Sequence, residues 1–141
     1  MQIRLAESDE EILACFPVMS QLRPHLLREE FTHRVRDQQQ RGYKLAMLIE
    51  DDEVSAVAGF RIGQSLAWDR FLYVDDLVTS AGVRSKGNGQ QLFDWLLQYA
   101  REHDCSQLHL DSGVQRFDAH RFYLRNRMKI SSHHFGLDLS T

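Results

Sequence analysis

Asp76-Leu77-Val78-Thr79-Ser80-Ala81-Gly82-Val83-Arg84-Ser85-Lys86-Gly87-Asn88-Gly89-Gln90-Gln91-Leu92-Phe93 runs from an apolar strand through a glycine-rich basic turn into an amphipathic helix. The unpaired N–H groups of a helix start, with the positive end of the helix dipole, form a site for a pyrophosphate. Arg84 and Lys86 place positive charge beside those amides, and the glycines at 87 and 89 let the main chain turn and a ligand approach closely.

Spacing separates three kinds of nucleotide loop. Gly82 to Gly87 has the four-residue gap of a P-loop, but Asn88 and Gly89 stand where Lys and Ser/Thr must reach the phosphates and Mg²⁺. Gly87-Asn88-Gly89-Gln90-Gln91-Leu92 starts like a dinucleotide fingerprint, yet Leu92 replaces the third glycine and the segment lies mid-chain. Arg84-x-x-Gly87-x-Gly89, after a strand and before a helix, remains.

Outward from the loop, Leu92, Phe93, Leu96, Leu97 and Ala100 recur at helical spacing, and Phe71–Thr79 reads as the strand that feeds the turn. Upstream, Tyr43–Glu50 and Glu53–Gly63 are strands around an Asp51-Asp52 turn. Gln2–Leu5 is a short strand. Ser8 and Glu11 form a capping box opening a helix that Pro17 kinks or divides. Pro24 is expected in the first turn of a second helix reaching about Gln40, stopped by Gly42. Downstream, Cys105–Leu110 is a strand, Asp118–Arg127 a helix, and Lys129–Leu139 an extended tail able to form one or two strands. The order β-α-α-β-β-β-α-β-α-β, with a further strand allowed, predicts an α/β chain whose mixed central sheet is flanked by about four helices.

With 141 residues, 43% of them hydrophobic, residues 1–141 are expected to form a single domain. A net charge of -3 argues against a nucleic-acid partner held by bulk electrostatics. Cys15 and Cys105 have neither CxxC nor Cys/His ligand spacing, so no disulfide framework or zinc site is indicated. His133-His134 does not change that, since neighbours on a strand face opposite ways; no metal is expected. The first residues reach Arg4, Glu7 and Asp9 without an apolar run, and no window approaches the roughly 18 apolar residues of a membrane span, which predicts a cytoplasmic chain with no membrane partner.

The loop resembles the acyl-CoA pyrophosphate loop of the GNAT N-acetyltransferase superfamily, and the element order is similar to that family's over nearly the whole chain. Ala119-His120-Arg121-Phe122-Tyr123 is similar to the family's Ala-x-x-Phe-Tyr helix, although Arg127-Met128 replaces the usual Gly-Phe, and Arg116 stands where an Asn often contacts the cofactor. The resemblance implies a GNAT-like fold and an acetyltransferase that moves the acetyl group of acetyl-CoA directly to a primary amine, on a small molecule or a protein. It further implies that backbone groups of Leu77, Val78 and Thr79 pair with the pantetheine arm, and that Arg84, Ser85, Lys86, Gly87, Asn88, Gly89 and Gln90 hold the pyrophosphate. Tyr123 maps onto the acid that protonates the thiolate.

Asp76 is the candidate base. Asp75 and Asp76 are adjacent on a strand and face opposite sides unless a bulge intervenes, while His109 and Asp111 are runners-up on the next strand. The acceptor side would lie along the first two helices and around residues 131–135. A homodimer is one arrangement the resemblance implies, because sheet edges near the C-terminus invite pairing. A rival reading keeps the loop but makes the chain a non-catalytic acyl-CoA sensor, since Arg116 and Arg127-Met128 depart from the family pattern.

Overall fold

Ser8 follows the first strand, β1 (Gln2–Leu5), and opens α1 (Asp9–Ala14) with a full capping box. Its Oγ accepts the Glu11 N–H at 3.0 Å, and the Glu11 carboxylate accepts the Ser8 N–H at 3.1 Å. The Glu7 N–H donates to the same carboxylate, and the Arg4 guanidinium pairs with it. These backbone donors first, and Arg4 after them, hold the Glu11 carboxyl at about 2, below its ordinary 4.5.

The computed structural model describes residues 1–82 and 87–140. Cys15 caps the end of α1 and the start of α2 (Phe16–Leu22), with Pro17 in the first turn of α2. The division expected at Pro17 therefore occurs, and among the described residues it gives five helices where the sequence suggested about four. Pro24 is not in the first turn of the next helix. It pushes the residue before it out of helical space, so Arg23 closes α2 at φ -120, ψ 71, and α3 (Arg28–Gln39) starts four residues after Pro24 behind Leu27. The connecting loop, residues 24–27, becomes a wall of the cleft described below.

β2 (Lys44–Glu50) and β3 (Glu53–Ser65) form the expected hairpin, with Asp51 at φ 53 and Asp52 at φ 63, both left-handed as a two-residue I′ turn requires. β4 (Asp69–Thr79) pairs antiparallel with β3, and α4 (Asn88–Glu102) crosses back to β5 (Gln107–Leu110). The sheet order is β1-β2-β3-β4-β5. The strand–helix–strand crossover makes the last pair parallel, so the sheet is mixed.

Alternation along β2 divides the core. Leu45 and Met47 pack with Val57 of β3 against Ile12, Val18, Met19, Phe31 and Val35 of α1–α3. On the α4 side the Phe60 ring of β3 meets Trp95 and Tyr99 edge-on, with Leu92, Phe93 and Leu96 buried along the same helix. Among the described residues no helix is long and apolar enough to cross a membrane.

The chain gathers into two compact units, Met1–His109 and Leu110–Thr141. In the second, α5 (Phe117–Arg125) ends in a Schellman motif: Met128 N–H donates to Tyr123 O at 3.1 Å and Arg127 N–H to Leu124 O at 3.0 Å, with Arg127 at φ 67. Arg127 thus occupies the left-handed position that favours glycine, which accounts for Gly being usual there in the resembling helix. The strands expected within Lys129–Leu139 are not formed. Instead Ile130, Phe135, Leu137 and Leu139 are 78%, 92%, 84% and 84% exposed.

Candidate active site

The geometry of the site starts from one extra residue in β4. Gly59 of β3 stands opposite Asp76, but the next residue, Phe60, stands opposite Val74, so Asp75 is a bulge. The bulge defeats simple alternation, and both Asp75 and Asp76 line one cleft of about 390 Å³ between β4 and the α2–α3 segment.

Each carboxylate is built into a network. Asp76 Oδ1 accepts from Arg23 Nε at 2.9 Å and its Oδ2 from the Tyr43 hydroxyl at 2.8 Å. Arg23 Nη2 also donates to the Asp75 carbonyl at 2.9 Å, which fixes the bulged peptide. The Asp75 carboxylate takes a fork from Arg61, Nη2 at 2.7 Å and Nε at 3.0 Å, and the same guanidinium lies 5.5 Å from the centre of the Tyr43 ring. Tyr43 is buried, and that burial, with Asp76 beside it, pushes its phenol well above 10, so it donates a proton to Asp76 without losing it. Gly59 makes room: a Cβ there would lie 1.8 Å from the Tyr43 oxygen and 2.5 Å from Asp76 Oδ2.

β4 then leads towards the loop. Leu77, Val78 and Thr79 pair with Ala58, Val57 and Ala56 of β3. On the other side Ser106 N–H donates to Arg70 O at 2.8 Å, so the four-residue, parallel β5 runs out near the bulge. Beyond that point the second edge of β4 has no strand beside it among the described residues.

At the far end Gly87 precedes α4 at φ 78 with no side-chain cap, and a Cβ added there would meet nothing within 4 Å. Asn88 is buried, yet its Nδ2 has no hydrogen-bond partner among the described residues. An uncapped helix start with a positive-φ glycine and an orphaned buried donor fits a bound pyrophosphate. Gly89 lies in the first turn, whereas the Gln90 side chain donates to Asp94 at 2.9 Å, along its own helix. Arg84, Ser85 and Lys86 lie outside the described residues.

In the second unit Tyr123 is half-buried on α5, and burial pushes its phenol up, with Arg116 opposing. The runners-up are otherwise engaged. His109 stacks on Trp68 with ring centres 3.5 Å apart, and Asp111 pairs with His134 at 3.5 Å. Burial drives the Cys15 thiol to about 12 and also raises that of Cys105, so neither is poised as a nucleophile. Arg23, Tyr43, Gly59 and Arg61 escaped the sequence reading. The one available signal was the adjacent Asp75-Asp76 pair, whose value depended on a bulge.

The profile of the Acetyltransferase (GNAT) family matches residues 6–127. The chain belongs to the GNAT acetyltransferase family. It is 38% identical over 117 residues to the uncharacterized N-acetyltransferase YhdJ of Bacillus subtilis (strain 168), covering 82% of each chain. A shorter match, 36% identical over 62 residues, covers 44% of this chain and 40% of the aminoalkylphosphonate N-acetyltransferase of Salmonella typhimurium (strain LT2). In fold it is similar to the ribosomal-protein-alanine N-acetyltransferase of Brucella melitensis, with a TM-score of 0.84 at 16% identity over 99% of this chain and 100% of that one. The expected GNAT fold and acetyltransferase activity both hold, and nothing in these relatives favours a non-catalytic sensor. Enzymes of this family take an acyl-CoA and an amine.

Proposed function

We propose that this GNAT enzyme takes its acetyl group from acetyl-CoA and delivers it to a primary amine held in the cleft over Asp75 and Asp76. The observation that carries the reading is the order along the chain of the Asp75 bulge with its two neighbouring carboxylates, the strand-free edge of β4 at Leu77–Thr79 and the uncapped start of α4. The open edge would align the pantetheine arm like an added strand. The Gly87–Gln90 turn, with Arg84, Ser85 and Lys86, would take the pyrophosphate.

In this scheme the amine nitrogen attacks the thioester carbonyl carbon, the C–S bond breaks, and no enzyme acyl intermediate forms, in keeping with the two protonated thiols. The amine gives its proton to Asp76 through a water, because both oxygens of that carboxylate already accept a protein donor. Tyr123, kept neutral by burial, gives its proton to the departing thiolate.

The enzyme is further proposed to act in the cytoplasm, as a homodimer. Phe135, Leu137 and Leu139 alternate as one face of a strand does, and β5 offers a sheet edge in the same chain, so a second copy supplies what the tail lacks.

Thermal shift with acetyl-CoA, CoA, ATP and NAD side by side tests the donor. Ligand at about 100 times its dissociation constant adds roughly 2.7 kcal/mol, so acetyl-CoA and CoA alone should raise the melting temperature by several degrees. A shift with ATP or NAD alone would overturn the assignment.

A further inference from the structure

The charges around the cleft do not balance. Arg23, Arg34 and Arg61 line it against only two carboxylates, Asp75 and Asp76, with His25 at the same rim. Arg23 is committed to Asp76 and Arg61 to Asp75, so each carboxylate already has its own cation. Arg34 is left over. It stands with Phe31, Val35 and Gln38 on the face of α3 turned to the cleft, the i, i+3, i+4, i+7 stripe of a helix, while Arg36, on another face, is held by Asp9.

A plain cationic amine is poorly served by such a site, because no carboxylate has charge to spare and the surplus is positive. An amine that also bears an acid is well served. Its anionic end would meet the Arg34 guanidinium and the His25 ring, its short carbon chain the apolar surface of Leu26 and Phe31, and its nitrogen would lie towards Asp76. A cavity of about 390 Å³ suits a small molecule of this kind.

Resting on the acetyltransferase reading above, we propose that the acceptor is a small amine carrying a carboxylate or phosphonate, and that Arg34 is the residue that selects for this acid group.

The test uses three primary amines of matched length, 4-aminobutyrate, 3-aminopropylphosphonate and n-butylamine, with acetyl-CoA and the full-length enzyme. One or both acids should exceed n-butylamine in kcat/KM by at least about tenfold, the size of one charge-assisted hydrogen bond lost or made. In Arg34→Gln that ratio should collapse towards one, through KM. A folding defect would lower all three amines together and leave the ratio alone; since Arg34 is exposed, an unchanged melting temperature is expected. The two acids compared with each other tell carboxylate from phosphonate. A wild-type preference for n-butylamine, or a ratio unmoved by Arg34→Gln, overturns the proposal while leaving acetyl transfer intact. Failure of every amine in a broader panel would instead remove the acetyl-transfer reading, and this proposal with it.

Discussion

Gly59→Ala puts the geometry of the carboxylate cleft to a quantitative test. The new methyl would sit 1.8 Å from the Tyr43 oxygen, 2.4 Å from its Cζ and 2.5 Å from Asp76 Oδ2, all closer than real carbon contacts. Tyr43 is only 7% exposed and must shift towards the cleft it lines to clear the methyl, so the 2.8 Å bond between its hydroxyl and Asp76 must break or stretch. Losing a hydrogen bond to a charged group costs about 1.5–3 kcal/mol, and forcing a methyl into a packed site costs about 1–3 kcal/mol. The lower backbone entropy of alanine returns about 0.5–1 kcal/mol. The net loss should be about 2–5 kcal/mol, read as a lowered urea midpoint with an unchanged m-value. Adding Tyr43→Phe removes the closest contact and the buried hydroxyl together, so the double variant should lose less than the sum of its single changes. A Gly59→Ala protein within about 0.5 kcal/mol of wild type would refute the packing argument. It would mean that Tyr43 and Asp76 are not clamped over this glycine.

Five further outcomes are expected. Tyr123→Phe should lower kcat while leaving the acetyl-CoA dissociation constant nearly unchanged, and Asp76→Asn should lower kcat; unchanged turnover in either variant removes its assigned role. Because the folded Glu11 carboxyl sits near 2 against an ordinary 4.5, its contribution to stability is complete above about pH 4.5 and is lost as pH falls towards 2. The urea midpoints of wild type and Glu11→Gln should therefore converge across that window, and parallel curves would contradict the capping network. Arg127→Gly should raise stability by about 1 kcal/mol by relieving a left-handed backbone at the Schellman turn; a loss would mean that the arginine side chain compensates for it. Wild type should sediment as a dimer at micromolar concentration and a Leu137→Asp, Leu139→Asp variant as a monomer, whereas a monomeric wild type would dismiss the exchanged tail.

Legibility in the sequence followed the range of the interactions. The strand–loop–helix around Gly87, the Asp51-Asp52 hairpin and the Ser8–Glu11 box are local, each set by residues within a few positions, and each was readable. Pro17 announced the division of the first helix, but Pro24 was misplaced because its effect falls on Arg23, the residue before it. The cleft was mostly hidden. Arg23, Tyr43, Arg61 and Asp76 meet only because the α2–α3 segment and three strands converge, and no spacing in the chain encodes that meeting. The bulge at Asp75 was visible as a condition but not as a fact, since register is set by pairing with β3. The tail misled for a different reason: its alternating Phe135, Leu137 and Leu139 are strand-like, but a strand forms only where a sheet edge receives it.

Direct acetyl transfer from acetyl-CoA to an amine, as proposed here, is tested by CoA thiol release followed across a panel of amines, with the N-acetyl product identified by mass. Release should depend on one class of amine, saturate with it, and match the acetylated product mole for mole. Release at the same rate with and without any amine, or no release at saturating acetyl-CoA, would contradict it.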